Sequence, residues 1–200
     1  TYTDIRYDYN LPAGFGGALK LIKEQTASSS ASISFVDGTS DVVLDSTYRT
    51  YIFKFINIHP ATNNAKFAFN LSIDGGSNYN VTKTTTMFRA SHDEDDSGTS
   101  FGYVASQDLA QSTDFQNILQ ALGDNNDSSG SGELFLFSPS STTFVKHFIS
   151  TASSYGDTPR EYNTFCAGYC NVTAAIDGVD FKMSSGNIDS GVIKMYGISK

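Results

Sequence analysis

The run at residues 48–60, Tyr-Arg-Thr-Tyr-Ile-Phe-Lys-Phe-Ile-Asn-Ile-His-Pro, constrains the fold more than any other stretch of this chain. It is the longest apolar run, and it is rich in β-branched and aromatic residues, which fit a pleated surface. In an extended chain Tyr51, Phe53 and Phe55 fall on one face. Ile52, Ile56 and Ile58 fall on the other, with only Lys54 polar between them. A strand that is apolar on both faces has to be covered on both, so the run reads as an inner strand of a two-layer β-structure. Pro60 has no amide hydrogen to continue a ladder, and the strand should end there.

The rest of the chain carries shorter segments of the same kind. Strands are expected at residues 18–23, 28–36 (Ile33 and Phe35 inward), 42–44, 79–90, 101–105, 162–173, 179–183 and 192–198. Residues 66–73 alternate most cleanly: Phe67, Phe69, Leu71 and Ile73 on a buried face, Ala68, Asn70, Ser72 and Asp74 on a wet one. Residues 134–137 form a compact strand stopped by Ser138-Pro139, with 144–150 as its hairpin partner. Residues 113–122 are ambiguous. Phe115, Ile118, Leu119 and Leu122 fit helical spacing and Thr113 suits a cap, but a strand is the rival. Turn chemistry punctuates the segments at Asp37-Gly-Thr-Ser, Asp74-Gly-Gly-Ser-Asn and Asp189-Ser-Gly, and residues 123–132 read as a polar loop. Ten to twelve short strands with at most one short helix give an all-β expectation: an antiparallel β-sandwich, jelly-roll-like, over residues 18–200. Residues 1–17 stand apart as an extended amino-terminal arm. Its Tyr2, Tyr7, Tyr9 and Phe15 are candidate partner-binding anchors beside a Gly- and Pro-rich hinge.

Composition narrows the function classes. Charged residues make up 17% of the 200 and the net charge is −8, with Lys and Arg scattered, so nucleic acid is not the expected partner. No apolar run approaches the roughly 20 residues that cross a bilayer as a helix. No stretch reads as a secretory signal, and a start at Thr1 leaves an initiator Met or a longer leader open. Cys166 and Cys170 in one strand would share a face about 13 Å apart. That exceeds the roughly 7 Å Cα reach of a disulfide, so two buried free thiols are expected. His59, His92 and His147 are dispersed, and no Gly-x-Ser-x-Gly elbow or paired glycosidase carboxylates stand out. No catalytic residue is assigned. Two acidic loops, residues 92–96 and 124–133, are oxygen-rich enough for calcium, although neither has EF-hand spacing, and solvated loops are the plainer reading. Trp is absent, but eleven Tyr leave a glycan-binding surface open.

Four segments carry a resemblance: Leu19-Lys-Leu-Ile-Lys-Glu-Gln-Thr-Ala-Ser-Ser-Ser, Tyr51-Ile-Phe-Lys-Phe-Ile-Asn-Ile-His-Pro-Ala-Thr, Leu134-Phe-Leu-Phe-Ser-Pro-Ser-Ser-Thr-Thr-Phe-Val-Lys-His-Phe-Ile, and the tail from Ala174-Ala-Ile-Asp-Gly-Val-Asp-Phe-Lys-Met onward. Together they resemble virion structural proteins of marine tailed phages, such as those infecting cyanobacteria. The resemblance covers roughly residues 18–199 and leaves the arm outside. It implies a non-enzymatic component on the virion exterior, a head decoration or a fibre-like module. The expected partners are other virion proteins, capsid or tail, with a homo-oligomer, such as a trimer, as the form. The alternative is a tail-fibre module that recognises host-surface glycan.

Overall fold

A computed structural model describes residues 19–198, which form twelve strands and no helix. In chain order the strands are β1 (Leu19–Ser30), β2 (Ile33–Val36), β3 (Thr50–Pro60), β4 (Ala65–Ser72), β5 (Lys83–Asp93), β6 (Thr99–Tyr103), β7 (Gln116–Leu122), β8 (Gly130–Phe137), β9 (Lys146–Tyr155), β10 (Arg160–Cys170), β11 (Gly178–Met183) and β12 (Ile188–Ile198). All pairings are antiparallel. Eight strands make a large sheet in the order β1-β12-β3-β8-β9-β10-β5-β6, and four make a small one in the order β2-β11-β4-β7. The sheets pack face to face as a jelly-roll-like sandwich. The arm with Tyr2, Tyr7, Tyr9 and Phe15 lies outside the described residues.

The run that anchors the sequence reading is β3, an interior strand of the large sheet between β12 and β8. Tyr51, Phe53 and Phe55 point into the sandwich and are fully buried. The strand ends at Pro60, where the missing donor was expected to stop it. The other face behaves differently from expectation. Ile58 is 0% exposed because Asn57, at φ 51°, interrupts the alternation and the ladder to β8 shifts between Phe55 and Ile58. Ile56 is left 40% exposed, while Ile52 is 5% exposed among its neighbours on the same outward face. Apolar residues on both faces of β3 therefore do not mean that a second layer covers both.

The core joins both sheets through aromatic contacts. Phe181 of β11 lies 5.4 Å from Phe53 and is stacked at 5.5 Å on Phe67 of β4. Phe69 meets Phe148 of β9 edge-on at 5.0 Å. Such arrangements add about 0.5–1.5 kcal/mol per pair beyond the area they bury.

Several expected segments are redrawn. Residues 18–23 and 28–36 become one long β1 and a short β2, because Gln25 through Ser28 pair with β12 by their backbones and need no apolar side chains to do so. Residues 42–44 form no strand. Val42 and Leu44 are still buried, with Leu44 N–H donating to Asp37 Oδ1 at 2.8 Å. On β4 the face expected to be wet is covered: Ala68, Asn70 and Ser72 are buried beneath the connections that leave and enter the small sheet, whereas Ile73 falls beyond the strand end and is exposed. Residues 116–122 are strand β7. Its ladder to β4 shifts register twice, and Ala121 sits at φ 47°. Those irregularities bury Ile118, Leu119 and Leu122 together, which imitates helical spacing in an extended chain. Strand β8 starts at Gly130, inside the stretch read as a loop.

Cys166 and Cys170 are both free and buried on β10, as their spacing required. Burial pushes each thiol up to about 12. Neither should react with a thiol reagent at pH 8 in the folded protein, and both should react once it is unfolded. Rapid native labelling counted by mass spectrometry would refute this.

Candidate docking face

The outward surface of the large sheet is the most unusual surface among the described residues. One row of laterally paired residues crosses it almost without a charge: Leu21, Tyr196, Ile52, Phe135, Ile149 and Ala167, on β1, β12, β3, β8, β9 and β10 in turn. Leu21 and Ile149 are exposed. Beside Phe135, Phe137 stacks at 6.3 Å. The adjoining row divides in two. Toward β1 it carries ion pairs, Lys194 to Glu24 at 2.9 Å and Lys54 to Glu133 at 3.5 Å. Toward β6 it turns aromatic, running from Phe165 to Phe88 to Tyr103.

Period-two alternation accounts for this pattern. Cys166 and Met87 point inward, so Phe165 and Phe88 must point outward, where they stack at 5.0 Å. Phe101 of β6 meets Phe88 edge-on at 5.8 Å and remains 75% exposed. Tyr103 is fixed by donating to the Asp108 carboxylate. A large aromatic cluster left in water costs free energy of hydration unless a partner covers it, and contiguous patches of this kind mark interaction sites. A hollow of about 480 Å³ opens on the same face, floored by Ile149, Ala167 and Gly168 and flanked by His147 and Tyr169.

The residues weighed from sequence for ions or chemistry do not converge. His59 Nδ1 sits 2.7 Å from the Ser128 carbonyl. His92 lies 3.0 Å from Asp96, both at the surface. His147 is exposed beside Tyr169. In the acidic loop at 92–96, Asp93 is already engaged by the Arg160 guanidinium, which donates through Nε and, at 2.8 Å, through Nη2. The second loop gives Glu133 to the Lys54 pair. Among the described residues no group of three or more His, Cys, Asp or Glu side chains is gathered.

Hydrogen bonding from Arg160 holds the Asp93 carboxyl below its ordinary range. Its contribution to stability is therefore complete above the ordinary carboxylate value and is lost as pH falls through the lowered folded value. Asp93→Asn should lower the melting temperature near neutral pH, and the difference from wild type should vanish in strong acid. A difference that persists unchanged at the acid end would contradict the pairing.

No protein-family model, curated protein or solved structure matches the chain.

Proposed function

We propose that this chain is a non-enzymatic structural protein on the exterior of a tailed-phage virion, and that the outward face of its large sheet packs against a second copy of itself. The observation that carries the reading is the contiguous apolar and aromatic face, presented on a rigid sheet rather than on loops. Its charged half does not oppose a copy as the partner: Lys194 is paired with Glu24 and Lys54 with Glu133 within the chain, so that row brings no unpaired charge into a contact between copies. The acidic balance of the chain, −8 overall, disfavours nucleic acid as the occupant.

Sedimentation of the full chain at micromolar concentration tests the packing. The wild type should form a discrete oligomer, and Phe101→Glu with Phe165→Glu should yield monomers whose melting temperature is nearly unchanged. A wild-type monomer would remove the self-association. Placement in a particle is tested by locating the chain in an electron-microscopy map of the virion, where density in the interior would overturn the exterior placement and absence of the chain from the particle would overturn the structural role.

A second reading, a glycan-binding module of a tail fibre, draws on the hollow flanked by Tyr169 and His147, because a sugar ring can stack on an exposed aromatic face. A glycan array probed with wild type and Tyr169→Ala separates the two readings: binding that is lost in the variant favours the glycan module.

A further inference from the structure

Lys83 begins β5 in the large sheet and Asn70 lies on β4 in the small one. Their side chains meet where the chain crosses between the sheets, and both residues are fully buried. Lys83 Nζ donates to Asn70 Oδ1 at 2.6 Å and to the Val81 carbonyl at 2.8 Å. No carboxylate lies within ion-pair distance of it among the described residues. A buried ammonium without a counter-charge is costly, and burial pushes Lys83 down to about 8. A sizeable fraction is then neutral amine, a nucleophile, at mildly alkaline pH.

The carboxamide it faces is held in one orientation. Asn70 Nδ2 donates to the carbonyls of Tyr79 at 2.6 Å and Thr113 at 2.9 Å. Oδ1 also accepts the Leu71 backbone N–H at 2.8 Å. With a C=O bond of about 1.23 Å, the amine nitrogen is within about 3.8 Å of the Asn70 carbonyl carbon, close to the separation of reacting atoms held for attack.

We propose that Lys83 Nζ attacks Cγ of Asn70 and that the two side chains join in an isopeptide bond. The Nζ–Cγ bond forms and the Cγ–Nδ2 bond breaks. One proton from Nζ ends on the departing nitrogen, which leaves as ammonia, and neither oxidant nor reductant is required. Charge that develops on Oδ1 is received by the Leu71 N–H. Asp180 stands directly opposite Asn70 in the β4–β11 ladder. It is buried, its Oδ1 accepts from the Ser34 hydroxyl at 2.6 Å, and burial raises its carboxyl toward the protonated form; the proton transfer itself runs from Nζ to the departing Nδ2 and needs no third group. The product links the small sheet to the large one across a separation of 13 residues.

The intact mass of the full, denatured chain decides the matter. Wild type should be lighter than its sequence by one ammonia. Trypsin should leave residues 67–89 uncut at Lys83, as a single looped peptide. Asn70→Ala and Lys83→Met should each restore the full sequence mass, and this readout does not depend on how well either variant folds. The proposal is overturned if wild type keeps the sequence mass after days at pH 9. It is overturned equally by ammonia loss with Lys83 still cleaved, which is the signature of a succinimide at asparagine.

Discussion

Phe181→Ala should unfold the protein more readily than any other single truncation of an interior ring, at a cost of about 3–5 kcal/mol. Phe181 is the ring around which the two sheets are joined. Phe35, Phe53, Phe67 and Phe69 all lie with centroids within 6.4 Å of it. Three of these, and Phe181 itself, belong to the small sheet, while Phe53 belongs to the large one. Each ring is fixed to a strand whose ladder prevents it from sliding into the vacated space, so most of the cavity should persist. For a chain of this size each kcal/mol lowers the melting temperature by roughly 2–4 °C, giving a fall of roughly 6–20 °C. Phe181→Leu should recover a large part of the loss because it refills much of the volume. A loss below about 1 kcal/mol in denaturant titrations, where cavity formation predicts at least 3, would mean that the sheets are not held together at this point.

Gly132→Ala should produce the second large loss, by the opposite fault. Gly132 is an inward position of β8, paired with Phe55 on one side and Ala152 on the other. A methyl group there would sit 2.5 Å from the Thr151 carbonyl oxygen and 2.7 Å from both the Ala152 Cβ and a Phe55 ring carbon. The Phe55 ring occupies the room that a side chain at 132 would take. Overpacking of this kind costs typically about 1–3 kcal/mol, and more where backbone must move. Phe55→Leu in the same chain should relieve only part of the penalty, since the tightest contact is with backbone. A melting temperature for Gly132→Ala equal to wild type would show that the strands separate there more easily than their pairing implies.

The sequence was most legible where a segment's surroundings are set by its own alternation. The inward faces of β3 and β4, the stop at Pro60, the hairpin of β8 with β9 and the two buried free cysteines all follow from period two and local chain chemistry. Reading failed where alternation is interrupted. The shift at Asn57 turned Ile58 inward, and the irregular β7 ladder gave Phe115 through Leu122 a helical look. A bulge costs one residue and leaves no strong mark in composition.

The docking face was hidden for a different reason. Phe88, Phe101 and Phe165 sit on three strands that come together only through the order β10-β5-β6. Each is an unremarkable aromatic in its own segment. The one local hint was Ile52 and Ile56 on the second face of β3, which alternation alone reads as a demand for a covering layer, whereas Ile56 is left exposed. Asn70 was likewise placed on a wet face by alternation alone, and its contact with Lys83 depends on how the connection between the sheets folds over it.

By itself, then, the order of residues determined that this chain forms antiparallel strands, which side chains most of them turn inward, and where several must stop, because those outcomes depend on neighbours two positions away. The tertiary structure alone decided which strands are adjacent, and so which rings share a surface and which amine meets which amide. Lateral strand order is set by the joint packing of two whole sheets, and no local window of sequence contains that information.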